Sequence, residues 1–294
     1  MKCLICNATS FHNIVNSKDL KIFSCNVCGL YIVPQSKSKI KNVSKYFKNY
    51  DLDKYINYYE KFRKDIYKNN WKQITRWKKG GKSLDFGASF GWFLELAPKK
   101  WTSFGVEPSP VAVERCKSKH LKVKLGTENK VSDFHTKFDV ITMWNVIEHL
   151  SNPVKTLIKL KSNLNKDGII AIAFPNRYGF YNQTAYFLNR ISFGLITKPL
   201  YILFQADNPV PHLYHFRISD IEKILNSLGF KILQIDSQKI VDTNGLWHRE
   251  ELDKDRMLKL LAFIGIPTLK VLDVLLDLLR INNDEIVIYA KKIE

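Results

Sequence analysis

No stretch of about twenty uninterrupted apolar residues, the length a helix needs to cross a bilayer, occurs in this chain. Its most apolar late segments, Phe193 to Gln205 and Leu258 to Leu279, are broken by Lys198 and by Lys259, Pro267, Lys270, Asp273 and Asp277. The first ten residues, MKCLICNATS, lack the basic lead and apolar core of a signal peptide, so a cytoplasmic location is expected. Acidic residues are scarce, with 28 Asp and Glu against 46 Lys and Arg and a net charge of +18. Such a balance admits nucleic acid or an anionic membrane surface as a partner. The lysines are scattered, however, and Lys, Asn, Ile and Tyr crowd the whole chain, as AT-rich codons would produce, so a generic solvated surface competes with a dedicated basic site. The closely spaced GxGxxG that holds a dinucleotide pyrophosphate at a helix N-terminus is missing too. What is present suits a large domain with a smaller appendage: 294 residues, 45% of them hydrophobic, support a sizeable core.

Four of the five cysteines form two pairs, Cys3-Leu-Ile-Cys6 and Cys25-Asn-Val-Cys28, with 18 residues between them. Tandem CxxC knuckles at this separation are the spacing of a tetrahedral zinc site with four thiolate ligands. Disulfides or a redox CxxC are the alternative. A cytoplasmic chain disfavours the former, and no βαβ pattern surrounds either pair as the latter would need. Four thiolates leave no place for water or substrate, so the zinc is expected to be structural and to supply much of the folding energy of a ribbon over residues 1–35. Cys116, in Val-Ala-Val-Glu-Arg-Cys, reads as a small buried apolar residue.

A Lys-rich connector, Pro34 to Val43, precedes a helix expected over Tyr46 to Trp77, where Tyr55, Tyr59, Phe62 and Ile66 recur at three-or-four spacing and Trp71, Ile74 and Trp77 continue a similar face. These side chains read as a core-facing stripe, although its tyrosines could also line a substrate pocket. The linker and helical segment together take residues 36–80. From Lys82 strand and helix alternate. Strands are expected at Ser83 to Phe86, Thr102 to Val106, Val123 to Leu125, Phe138 to Met143 and Ile169 to Phe174. Helices are expected at Trp92 to Ala97, Pro110 to Lys119 and Pro153 to Leu164, the last two opening on capped prolines, Ser109-Pro110 and Asn152-Pro153. Such alternation predicts an α/β fold with a doubly wound, mainly parallel sheet, whose ligands bind at the carboxyl ends of the strands. This larger domain spans 81–294. Residues 176–211 interrupt it with an aromatic-rich stretch of the kind that forms a lid or substrate wall. A helix at Ser219 to Leu228 and strands at Phe230 to Ile235 and Glu285 to Ala290 follow, with a helical insertion at about 249–281.

The segment Leu84 to Ala97, LDFGASFGWFLELA, outlines a strand, a glycine turn and a helix. Asp85 ends the strand and Gly87 and Gly91 bracket the turn, where glycine lets the backbone bend and a ligand approach. Sixteen residues past Gly91, Glu107 ends the next strand, where a carboxylate can accept hydrogen bonds from both hydroxyls of a ribose. By itself the turn is equally compatible with tight strand-to-helix packing. Further on, Phe138-Asp-Val-Ile to Glu-His-Leu-Ser-Asn-Pro153 and Leu-Asn-Lys-Asp-Gly to Phe-Pro-Asn176 resemble the class I S-adenosylmethionine-dependent methyltransferases. The resemblance covers about Ser83 to Asn176 plus the final strand, and it implies a Rossmann-like fold. Its first turn is usually DxGxGxG, and here Ser89 replaces the middle glycine. The resemblance implies that Asp85, Gly87, Ser89 and Gly91 surround the methionine part of S-adenosylmethionine and that Glu107 binds its ribose. Thr127 and Glu128 would flank the adenine, and Asn145 would lie near the sulfonium. Members of the family commonly carry an N-terminal CxxC…CxxCG zinc ribbon, in agreement with the cysteine spacing.

Methyl transfer needs the acceptor held in line with the methyl, and a hydroxyl acceptor benefits from a base. His215 is the first candidate, because relatives often place a histidine there. His149 is the second, since some relatives that methylate quinone precursors use this region around a divalent metal. For each, a packing histidine that fixes a loop is the alternative. Three functions compete. One is an O-methyltransferase for a small molecule such as a sugar, a polysaccharide precursor or a lipid-linked intermediate, with Met257 to Leu279 as a possible peripheral membrane contact. Another is an RNA methyltransferase with the ribbon as its RNA-binding module, against which the ribbon's few cations argue. The third is a non-catalytic module that binds the cofactor.

Overall fold

The computed structural model describes residues 1–17, 20–34, 52–206, 210–238 and 283–293 together with position 271, and for residues 52–62 the backbone alone. The connector, most of the insertion at 249–281 and the side chains of Tyr55, Tyr59 and Phe62 lie outside the described residues.

Three short strands open the chain: β1 (Phe11–Asn16), β2 (Lys21–Cys25) and β3 (Tyr31–Ile32). Helix α1 (Leu52–Trp77) leads into the alternating part. There β4 (Gly81–Phe86), α2 (Trp92–Glu95), β5 (Trp101–Glu107), α3 (Pro110–Ser118) and β6 (Lys122–Leu125) follow in turn. Next come β7 (Phe138–Trp144), α4 (Pro153–Ser162) and β8 (Leu164–Pro175). The aromatic-rich stretch forms two helices, α5 (Phe180–Ile191) and α6 (Lys198–Leu203). The chain then adds β9 (Tyr214–His215), α7 (Ile218–Ser227), β10 (Phe230–Gln238) and β11 (Glu285–Lys292).

The main sheet has seven strands in the order β10-β11-β8-β7-β4-β5-β6. Neighbours are parallel from β8 through β6, and β11 runs antiparallel to both β8 and β10. The central strands β7, β8 and β11 read as near-continuous apolar runs because both of their faces are covered. In β8, Ile170, Ile172 and Phe174 point to one face and pack with Leu157 and Leu160 of α4 and Ile221 and Leu225 of α7. Ile169, Ala171 and Ala173 point to the other, toward Tyr67, Trp71 and Ile74 of α1. The expected α1 stripe is therefore core at Trp71 and Ile74, with Ile66 and Trp77 packed against the cluster and Tyr67 added to it; Trp71 stacks on Phe93 at 4.5 Å between ring centroids. The capped prolines act as expected: the Ser109 Oγ accepts from the Ala112 N–H and the Asn152 side chain from the Lys155 N–H.

Two expected boundaries are corrected. The helix after the glycine turn stops at Glu95, and the one from Pro153 stops at Ser162. Leu164 belongs to β8, where it pairs with Phe138, because Asn163 caps the helix and the chain must turn there to lie beside β7.

A second, antiparallel sheet runs β1-β2-β3-β9. The strand at its edge comes from the far side of the aromatic insertion, with Tyr31 opposite His215 and Ile32 opposite Tyr214. Cys3, Cys25, Leu30 and Ile32 join the core of the main sheet. On their other side Val15, Leu20 and Ile22 pack against Ala185, Leu200 and Phe204 of the insertion. The cysteine-bearing segment is thus wedged between the sheet and the two insertion helices.

Candidate active site

The glycine turn lies at the carboxyl end of β4. Gly87, Ser89 and Gly91 all have left-handed φ, at 81°, 48° and 85°, so the position that departs from the family pattern still adopts the backbone a glycine would. A Cβ on Gly87 would meet Val146 Cγ2 at 2.4 Å. The segment after β7 therefore crosses directly over the turn, which brings Asn145 and Val146 to it. Asp85 is buried and accepts from the Thr142 hydroxyl at 2.7 Å. Burial pushes its carboxyl up to about 8. Glu107 is also buried, with one oxygen accepting from the Ser89 N–H and the other from the Ser109 N–H, each at 2.8 Å. Burial raises its pKa and these two bonds oppose the shift. The Gly126 N–H donates to the Glu107 backbone oxygen at 2.9 Å, which ties the loop of Thr127 and Glu128 to the same strand end. Four separate segments, carrying all eight predicted cofactor residues, therefore converge at one end of the sheet.

Asn145, also left-handed at φ 56°, donates from Nδ2 to Glu285 Oε2 at 3.1 Å. Glu285 is fully buried and stands 3.6 Å from Arg63 of α1. Tyr67, pushed up to about 12 by burial, feels the charges of Arg63, Asp85 and Glu285. Sequence reasoning missed Arg63, Tyr67 and Glu285 as site residues. Asn145 and Glu285 are 140 positions apart, and no local pattern links them.

The two candidate bases have different surroundings. His215, in β9, is buried beside the insertion. Its Nδ1 is 2.9 Å from the Tyr186 hydroxyl and its ring centroid 4.5 Å from that of Phe204. Burial drives its pKa down to about 3. His149 sits in a short 3-10 helix, Ile147–His149, after β7. Its Nδ1 is 3.1 Å from the Pro211 carbonyl, which fixes the proton there and leaves Nε2 with a lone pair, 4.0 Å from Glu148 Oε1. The His212 ring lies edge-on to that of His149, with centroids 4.7 Å apart. Glu148 is 1% exposed, and neither carboxylate oxygen has a hydrogen-bond partner among the described residues; the same holds for His212 Nδ1. Burial raises the Glu148 pKa to about 8 and lowers both imidazoles. The insertion holds this group in place: the His212 N–H donates to the Phe204 carbonyl and the Leu213 N–H to the Glu148 carbonyl. One ligand atom each from Glu148, His149 and His212 lies within 4.8 Å of the others, as in a cation site. His212 too escaped the sequence reading.

A second candidate metal group is made by Cys3, Cys6, Cys25 and Cys28, again with all four ligand atoms within 4.8 Å of one another. No disulfide joins them. The knuckles repeat one geometry, since the Asn7 N–H donates to the Cys3 carbonyl at 3.0 Å and the Gly29 N–H to the Cys25 carbonyl at 2.8 Å, with left-handed φ at Asn7 and Gly29. Such turns aim two thiols at one point. Arg217 donates to the Cys28 carbonyl and Arg177 to that of Gly29, fastening the second knuckle to the body.

A Rossmann-like sheet with this glycine turn, and an acidic residue ending the next strand, is the architecture of S-adenosylmethionine-dependent methyltransferases. A family model described as "Methyltransferase domain" matches residues 58–235, and the chain belongs to that family. Residues 58–235 are thus a methyltransferase domain. Among curated relatives it is similar to the tRNA U34 carboxymethyltransferases of Campylobacter fetus, 28% identical over 171 residues, and Campylobacter curvus, 30% identical over 177 residues. These matches take in 54% and 56% of this chain and 54% and 53% of the relatives, so the chain spans about half the length of the curated relatives it matches. Two solved structures share the fold. The plantazolicin methyltransferase BpumL in complex with SAH has a TM-score of 0.52 at 18% identity, covering 87% of this chain and 95% of that one. The magnesium protoporphyrin IX methyltransferase from Synechocystis PCC 6803, also with bound SAH, has 0.51 at 13%, covering 86% and 99%.

Proposed function

We propose that this methyltransferase O-methylates a small molecule such as a sugar, a polysaccharide precursor or a lipid-linked intermediate. The observation that carries the reading is the group of Glu148, His149 and His212, enclosed by the insertion beside Asn145, in which the Glu148 carboxylate oxygens and His212 Nδ1 have no hydrogen-bond partner among the described residues. A neutral imidazole with a free nitrogen is what a hydroxyl acceptor needs, because its proton must leave as the new bond forms. Lowered pKa values keep both rings neutral at physiological pH. His149 is our first choice of base, as its side chain is 18% exposed and its tautomer is set by Pro211. His215, with its Nδ1 engaged by Tyr186, would position the wall.

The cofactor supplies an electrophilic methyl group. Around it, Glu107 would hold the ribose, Thr127 and Glu128 the adenine, and Asp85, Gly87, Ser89 and Gly91 the methionine part, with Asn145 near the sulfonium. Glu285 would keep the Asn145 side chain oriented. The rate then comes mainly from alignment of the acceptor with the methyl, since such alignment can be worth about 7–11 kcal/mol. The four cysteines would hold a structural zinc ion, and the first 35 residues would be a zinc ribbon.

A second reading, RNA as acceptor, is favoured by the names of the tRNA-modifying relatives. The test is incubation with methyl-labelled cofactor and fractionated cell extract. The first reading expects label in the small-molecule or lipid fraction, and label confined to RNA would overturn it.

A further inference from the structure

The corner between α5 and α6 holds apolar side chains out in water. Phe187 and Ile191, one helical turn apart on α5, are 61% and 54% exposed, and Phe193, Leu195 and Ile196 beyond them are 97%, 88% and 43% exposed. Isolated exposed hydrophobics are ordinary, but a contiguous group marks a contact surface. The corner is well tied. The Phe193 N–H donates to the Arg190 carbonyl, the Gly194 N–H to the Asn189 carbonyl and the Ile196 N–H to the Ser192 Oγ, at 3.1, 2.8 and 2.9 Å. Asn189 Nδ2 closes the loop on the Ile196 carbonyl at 3.2 Å. Phe193 is left-handed at φ 51°, an unfavourable state for a bulky residue. The backbone thus holds an aromatic ring outward at a cost in conformational energy.

We propose that this corner docks on an anionic lipid bilayer. Residues 176–206 contain Arg177, Arg190 and Lys198 and neither Asp nor Glu. Arg190 and Lys198 are exposed on either side of the apolar tip, and nothing of opposite sign in the segment would repel anionic lipid. Phe, Leu and Ile flanked by Arg and Lys are the composition of segments that lie in the headgroup layer. The overall charge of +18 adds long-range attraction of the same sign. A second copy of the chain is a poorer occupant. A two-fold contact would bring the cations of both corners together with no carboxylate between them. Beside the corner, Tyr31, Arg177, Tyr178, Tyr186, Phe187 and Phe193 border a cavity of about 770 Å³, which docking would turn toward the headgroups. The surface stands whatever the acceptor is.

The experiment is sedimentation of the full chain with extruded vesicles of phosphatidylcholine alone or with added phosphatidylglycerol. Binding is expected only with phosphatidylglycerol, and weaker as salt rises. The double variant Phe193→Ser/Leu195→Ser should lower the partition by about tenfold or more with unchanged circular dichroism, because neither side chain contributes to the core. Arg190→Glu/Lys198→Glu should do the same by charge alone. The proposal is overturned by equal binding to both vesicles, by no binding to either, or by binding that both variants retain. Dimers that the serine variant dissolves would also overturn it, in favour of a second copy.

Discussion

If Asp85 belongs to the cofactor site, it sets local stability against function. Its carboxyl is buried and its pKa is raised from 3.8 to about 8, with burial as the leading cause. In the unfolded chain it titrates at its ordinary value, so folding favours the protonated form. The contribution is fully present below pH 4, declines as pH rises, and is gone above about 8. Asp85→Asn removes this penalty. The cofactor-free variant should therefore melt higher than the parent at pH 8 and about equally at pH 4, as scanning calorimetry can measure. If Asp85 serves the methionine part as proposed, the same change should weaken cofactor binding at least about tenfold, the scale of a charged hydrogen bond, by isothermal titration. A variant that bound equally well would remove Asp85 from the site. Ser89 gives the complementary case. Its left-handed backbone at φ 48° is unfavourable for any residue with a Cβ, by about 1–2 kcal/mol. Ser89→Gly should raise the melting temperature by a few degrees and leave cofactor affinity within about twofold, since the contact to Glu107 is made by the backbone N–H. A large gain in affinity would mean instead that the serine side chain obstructs the cofactor.

Among the elements, the decisive pairing is β3 with β9, where Tyr31 lies opposite His215. The cysteine segment is joined through it to the chain just after the insertion, and Arg217 reaches from there to the Cys28 carbonyl. If the thiols hold zinc, removing the metal disturbs more than the first 35 residues. Cys25→Ser, or a strong chelator, should increase amide exchange in β1 to β3 and also around 212–217, while the central strands β4, β7 and β8 stay protected. Exchange confined to residues 1–34 would show that the pairing carries no such coupling. This element also marks where the sequence was legible. The CxxC spacing, the strand and helix alternation and the glycine turn are local patterns, set by periods of two and 3.6 residues and by backbone needs at single positions. The β3–β9 pair is two residues long on each strand and joins positions some 180 apart, so no periodicity announces it. Glu285 looked like the start of a terminal strand, and its role beside Asn145 depends on β11 entering antiparallel next to β8. His212 was passed over for His215 for a related reason, because burial and tautomer are set by neighbours from other elements.

At the scale of the whole molecule, charge is where the two readings of the acceptor separate. The net charge of +18 is spread over 46 cations, and several of those on the main domain are matched locally. Lys117 pairs with Glu114, Lys130 with Asp133, and Lys291 with Asp167. Such exposed pairs contribute little to stability, but they dilute the potential that a phosphate backbone would meet. An RNA enzyme gathers its cations along a track and recognises its substrate far more tightly than bulk nucleic acid. On the small-molecule reading, tRNA should bind this protein only as non-specific polyanion does, with a dissociation constant of about 10⁻⁴–10⁻⁶ M near physiological salt and a steep decline as salt increases. Filter binding with tRNA, and with an unrelated duplex of equal length, measures this directly. Equal and salt-sensitive affinity for both is the expected result, with no methyl label entering either. A preference for tRNA of a hundredfold or more that survives 200 mM salt would instead assign the enclosed His149 and His212 to a nucleotide turned into the site, and the insertion helices to its grip.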